Sequence, residues 1–139
     1  MTWIWSEFGT LPEEARRIRF EVFTQEQGFH NEFDDIDNKS YHLLLWKDNQ
    51  VIGTARLFYE QDDTIHIGRV AVEKQYRSGG SGSMILTACC EKAHELHAKR
   101  VILGAQCRAM KFYEKNGFQP FGTIFDDEGC PHQMMEKIV

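Results

Sequence analysis

The sequence predicts a single mixed α/β domain, its central sheet mostly antiparallel, with about six or seven strands flanked by helices. Three observations predict it. Three strand-like segments follow one another between residues 41 and 72, separated only by short polar turns. Segments with helical spacing stand before and after them. A chain of 139 residues, 42% of them hydrophobic, holds one sizeable core but hardly two, and no repeat or proline-rich stretch marks a linker, so the domain is read as residues 1–139.

The elements follow in order. "WIWS" is a short edge strand. "TLPEEARRIRFEVFTQEQG" is helical, with Thr10 and Glu13 at capping-box spacing and Leu11, Ala15, Ile18 and Val22 recurring every three or four residues; Gly28 closes it. "HNEFDDIDNKS" reads as a solvated acidic loop. It lacks the glycine and terminal glutamate of a calcium loop. "YHLLLWK", "QVIGTARLFYE" and "TIHIGRVAV" form an antiparallel meander, turned at Asp48-Asn49 and at "QDD". From Ser81 the pattern is helical, with Ile85, Cys89, Ala93 and Leu96 near one face. "RVILGA" is apolar enough for a strand buried on both faces. "CRAMKFYEKNG" is a short helix ending at Gly117, and "FQPFGTIF" with "HQMMEKIV" closes the chain as a hairpin around "DDEGCP".

The formal net charge of −5 argues against nucleic acid, whose phosphates call for a basic surface. No apolar run approaches the length of a membrane span, and the first ten residues lack the basic head and apolar stretch of a secretion signal. The expected compartment is the cytoplasm. Cys89 and Cys90 are adjacent while Cys107 and Cys130 stand alone, so neither a zinc spacing nor a disulfide framework appears, and reduced thiols are expected. His94 and His97, at i, i+3, have no visible third ligand and are read as exposed histidines; no metal is expected.

The stretch that calls for chemistry is "QYRSGGSGSMIL", residues 75 to 86. Glycines between a strand and a helix either make a flexible connector or an anion site. In the second case, amides at the helix N-terminus meet the anion and Arg77 adds a forked donor. A P-loop is excluded because no lysine follows the glycines. The dinucleotide fingerprint is excluded because Ile85 stands where its third glycine belongs.

Arg77-x-x-Gly80-x-Gly82 after "RVAV" resembles the R/Q-x-x-G-x-G/A pyrophosphate loop of the GNAT acyl-CoA-dependent N-acetyltransferases. "VFTQEQG", "IGRVAV", "GAQ", "FYEKNGF" and "GCPH" are, in this order, similar to the small bacterial ElaA/YjcF-like branch, so that the resemblance covers almost the whole chain. It implies an acetyl-CoA co-substrate bound by Val70, Ala71 and Val72 along the pantetheine arm, by Arg77, Ser78, Gly79, Gly80, Ser81, Gly82 and Ser83 at the pyrophosphate, and by Gln106. It implies a main-chain NH near Val70 as oxyanion donor and Tyr113 as the acid that protonates the departing thiolate.

The base is left open. Many relatives carry a glutamate on the strand leading to the pantetheine-binding residues, where this chain has His66-Ile67-Gly68-Arg69. His66, Glu26, His42 and His132 remain candidates, as does a water chain. Direct transfer of acetyl to a primary amine on a small molecule or peptide is the leading expectation. The missing glutamate favours the alternative, a non-catalytic acyl-CoA sensor. Acyl-cysteine chemistry at Cys107 or Cys130 has no neighbouring base in the sequence to support it. The resemblance leaves a homodimer open.

Overall fold

The strands form one mixed, mostly antiparallel sheet in the order β1-β2-β3-β4-β5-β8-β6, with β7 paired to β8. This is a computed structural model describing residues 1–30 and 32–139; Asn31, in the acidic loop, lies outside the described residues. Among the described residues eight strands are present: β1 (Thr2–Trp5), β2 (Tyr41–Lys47), β3 (Gln50–Gln61), β4 (Thr64–Val72), β5 (Arg100–Gln106), β6 (Gln119–Pro120), β7 (Phe125–Asp127) and β8 (Cys130–Ile138). The expected closing hairpin is broken into the short β6 and β7. Gly122 interrupts it at φ +70, and the turn into β8 is made by Glu128 and Gly129 at φ +49 and +80. Three α-helices accompany the sheet: α1 (Glu13–Arg19), α2 (Ser81–Glu95) and α3 (Met110–Lys115).

Backbone contacts divide the chain into two units, 1–58 with 67–89, and 59–66 with 90–139. In the first, β1, β2 and β3 pair antiparallel, with a register shift at Leu45/Trp46. Ala15, Ile18 and Val22 from the first helical segment pack with Leu44, Val51 and Ala71, and Leu11, Phe23 and Trp46 lie against them. The apolar spacing of the sequence thus becomes a buried stripe. The expected capping box does not form. Pro12 occupies the N-cap with no side-chain cap, and its fixed φ of −65° starts the helix while Glu13 and Glu14 complement the helix dipole. The helix also does not continue as α. Phe20–Glu26 is a π-helix in which Gln27 N–H reaches back to Val22 C=O, and Gly28 ends it at φ +81.

In the second unit β5 is paired on both sides. Thr64–His66 of β4 run parallel to Arg100–Ile102, and Arg100–Gln106 pair antiparallel with His132–Ile138. Val101, Ile102, Leu103 and Ala105 are accordingly buried, as the apolar run requires. The β4–β5 ladder ends at His66 and Ile102, although β4 continues to Val72 and β5 to Gln106. The four cysteines are free thiols.

Candidate active site

The loop between β4 and α2, where the sequence predicts an anion site, turns through left-handed backbone. Ser78 and Gly80 have φ of +77° and +82°, two left-handed residues within three positions of the turn. A Cβ at Gly80 would meet nothing within 4 Å; glycine is needed there for its torsion rather than for space. Gly80 C=O accepts the bond from Met84 N–H at 3.0 Å, which begins α2, and the buried Ser81 hydroxyl donates back to Tyr76 C=O at 3.3 Å. The first N–H groups of α2 lack acceptors within the helix, and the positive end of a fifteen-residue helix lies here. These residues fit a diphosphate.

Arg77 is placed differently from a simple phosphate clamp. Its Nε donates to Val72 C=O at 2.9 Å, and its two terminal nitrogens donate to the two oxygens of Glu26 at 2.7 and 2.8 Å. The Glu26 hydrogen bonds hold the Arg77 pKa above its ordinary value. The fork is thus occupied by a carboxylate from the end of the π-helix, and Arg77 ties the end of β4 to that segment. Glu26, read from the sequence as a candidate base, is the partner in this ion pair.

On β4, Ala71 and Val72 are buried while Gly68, Arg69 and Val70 are half-exposed, so the burial alternation of the strand breaks just before the expected pantetheine-binding residues. Arg69 sits in mid-strand at φ +51°. His66 is half-buried, with Nδ1 3.1 Å from Glu60 Oε2.

Other candidates are distributed by the second unit. Tyr113 lies on α3, half-buried, its ring edge-on to Phe112 at 5.1 Å and to Phe118 at 6.1 Å. Gln106 ends β5 and accepts a hydrogen bond from Arg108 Nε at 2.8 Å. His132 is buried, stacked on Phe125, and its Nδ1 is 2.8 Å from Cys130 C=O, the place for a donated N–H. His42, in the first unit, is fully buried. Burial pushes its pKa down, and the neutral ring donates Nε2–H to Asp37 C=O at 3.0 Å. Among the described residues no group of three or more His, Cys, Asp or Glu side chains is gathered to hold a metal ion, and no helix is long and apolar enough to cross a membrane.

The acidic loop is the largest departure from the sequence reading. His30, Asp34, Asp35, Ile36, Asn38 and Lys39 are exposed as expected, but Glu32 and Asp37 are not. Asp34 caps a 3₁₀ turn over Asp35–Lys39, and Glu32 and Asp37 are each only 5% exposed. Arg19, 1% exposed, donates to Glu32 Oε1 at 2.7 Å and to both oxygens of Asp37 at 2.8 and 3.2 Å. Arg56 donates to both oxygens of Asp34, at 2.7 and 3.2 Å, and to Asp37 Oδ1 at 3.1 Å. Arg69 closes the cluster on Glu32 and Asp34. Three guanidiniums thus face three carboxylates. Burial pushes the Asp37 carboxyl up, but the hydrogen bonds and charges of Arg19 and Arg56 outweigh it and hold the pKa below the ordinary value; Asp34 is held down in the same way by Arg56 and Arg69. For Glu32 burial wins, and its pKa is raised. One sequence signal pointed here. Arg56 stands inside the apolar "VIGTARLF", and a charge in a strand buried along its length needs a partner.

Comparison with known proteins agrees with the sheet. Residues 11–139 match the acetyltransferase (GNAT) domain family. The uncharacterized N-acetyltransferase YjcF of Bacillus subtilis is 33% identical over 128 residues, 90% of this chain and 91% of that one. Protein ElaA of Escherichia coli is 31% identical over 129 residues, 88% of this chain and 84% of that one; its crystal structure superposes with a TM-score of 0.86, covering 98% of both chains. The crystal structure of an acyl-CoA N-acyltransferase from Pseudomonas aeruginosa, 25% identical, gives a TM-score of 0.86 over 99% of both chains. With a family match across nearly its whole length and relatives above 30% identity over most of both chains, the chain belongs to the GNAT acetyltransferases, enzymes of acyl-CoA-dependent acetylation.

Proposed function

We propose that the protein transfers an acetyl group from acetyl-CoA to a primary amine by direct attack. The observation carrying this reading is the loop with left-handed torsions at Ser78 and Gly80, which joins β4 to the start of α2. In it, the amides of Ser78 to Ser83 bind the pyrophosphate, the backbone of Val70, Ala71 and Val72 holds the pantetheine arm, and Gln106 contributes from the end of β5. Val70 N–H polarises the thioester carbonyl, a contribution typically worth ~3–4 kcal/mol in acyl transfer. Tyr113 supplies a proton to the leaving thiolate. An alkylammonium with a pKa of about 10.4 must first lose its proton. His66 receives it, with the Glu60 carboxylate 3.1 Å from Nδ1 orienting the ring. No acylated cysteine is needed.

Gly82→Asp tests the cradle. Aspartate in the first turn suits a helix N-terminus, so the variant is expected to fold. It also puts a side chain and a like charge on the anion site, so calorimetry should find acetyl-CoA binding almost abolished. Native affinity in the variant would remove the cradle from the mechanism. Thiol release measured over sugars, polyamines, amino acids and peptides bearing primary amines then identifies the acceptor.

The Arg77–Glu26 pair supports a second reading, that of an acyl-CoA sensor, because the remaining candidate carboxylate is already engaged. Glu26→Gln separates the cases. If the pair only competes with pyrophosphate for Arg77, losing the carboxylate charge should tighten acetyl-CoA binding about 2- to 5-fold, the range of a half-exposed ion pair, and should leave kcat unchanged. A large fall in kcat at constant affinity would make Glu26 the base. Binding without turnover on any amine, in the native protein, would favour the sensor.

A further inference from the structure

We infer that Arg69 is a positioning residue: its anchors in the buried ion cluster hold the β4 backbone in the left-handed kink that aims Val70 N–H at the thioester carbonyl. This rests on the assignment of Val70 as oxyanion donor. A long side chain at φ +51° in mid-strand is strained, since its Cβ crowds the following carbonyl, and such torsions persist only where the surroundings over-determine them. The surroundings here are specific. Arg69 Nε donates to Glu32 C=O at 3.0 Å and lies 3.1 Å from Glu32 Oε1, and a terminal nitrogen reaches Asp34 Oδ2 at 3.4 Å.

Those acceptors are themselves fixed. Glu32 is gripped by Arg19 through both its carboxylate and its carbonyl, and Asp34 by the fork of Arg56. The acidic loop and three arginines thus form a brace ending one residue before Val70. Without the brace residue 69 relaxes toward the extended torsions of its strand. The peptide between 69 and 70 then turns, and Val70 N–H points toward the other side of the sheet.

Two substitutions at one position separate positioning from mere stability. Arg69→Ala removes the anchors and keeps the strain, so the kink should relax. Arg69→Gly removes the anchors but tolerates the left-handed torsion, so part of the population should keep it. With acetyl-CoA carrying carbon-13 at the thioester carbonyl, isotope-edited infrared difference spectroscopy reads the polarisation of that carbonyl with no acceptor present. The native complex should show the carbonyl stretch shifted to lower frequency than in free acetyl-CoA. The shift should be lost in Arg69→Ala and partly kept in Arg69→Gly. Acetyl transfer should follow the same order, with the alanine variant down by roughly 10²- to 10³-fold in kcat, the loss typical of one oxyanion donor, while acetyl-CoA affinity stays near native. If Arg69→Ala does not fold, Arg69→Gly decides by its own loss of shift at native affinity. A full native shift in either variant overturns the proposal, whatever happens to the melting temperature. Failure of the native protein to bind acetyl-CoA at all would instead overturn the functional reading on which it rests.

Discussion

Tyr113→Phe is expected to fold as the native protein does, bind acetyl-CoA equally well and lose about 10²- to 10⁴-fold in kcat, the range that a positioned general acid supplies. The ring is held by edge-on contacts with Phe112 and Phe118, and phenylalanine keeps both. Only the hydroxyl goes. Phenol and thiol have ordinary pKa values near 10 and 8.5, close enough for the proton to move as the carbon–sulfur bond breaks. The loss should therefore shrink with an acyl donor whose leaving thiolate is stable unprotonated. A tyrosine serving only as packing would give the opposite result, about 1 kcal/mol of stability lost and turnover intact. Steady-state rates on the best amine, read beside a melting curve, distinguish them.

Arg19→Met is expected to cost ~3–5 kcal/mol of stability, the usual penalty for removing one partner from a buried ion pair. That is a large part of the 5–15 kcal/mol that holds an ordinary domain together, and the melting temperature should fall by about 10 °C or more. Methionine fills similar space, so the penalty is electrostatic: Glu32 and Asp37 remain buried without the guanidinium that bonds both. Adding Glu32→Gln and Asp37→Asn should recover much of the loss. The pH dependence provides an internal check. In the native protein the depressed Asp34 and Asp37 contribute stability above the unfolded carboxylate range that is lost as pH falls through their lower folded values, while the raised Glu32 works in the opposite sense. In Arg19→Met the buried carboxyls move upward, so the variant should gain stability on acidification from neutral pH toward about pH 5. Equal melting temperatures for the variant and the native protein at neutral pH would mean that the cluster is energetically idle.

The sequence carried the elements whose signal is local. The period of Ala15, Ile18 and Val22, the apolar run of β5 and the Asp48-Asn49 turn are each decided by neighbours in the chain, and each stands in the structure. The glycine loop was legible because torsion and motif coincide at Gly80. The acidic loop was not, because Glu32, Asp34 and Asp37 are polar by every local measure and are paired, Glu32 and Asp37 out of solvent, by arginines 13 to 37 residues away in sequence. The π-helix was missed for a related reason: one additional residue per turn leaves a helical period that the eye reads as α. Arg77 was read as a phosphate donor because the motif places it correctly, while its partner Glu26 lies 51 residues earlier. Arg69 left no sign of its kink beyond the preceding glycine.

The charge-matched cluster also constrains how such a sequence can drift. Each of its buried members is adequate only while the others are present; changing one leaves an unpaired charge, while exchanging several together for apolar residues of similar volume is often neutral or stabilising. Single-step routes at Arg19, Glu32, Asp37 and Arg56 therefore cross a valley of poorly folded intermediates, although the far side is habitable. Descendants of this chain should keep the four residues as a set or replace them as a set, and lineages that have lost only one should be rare.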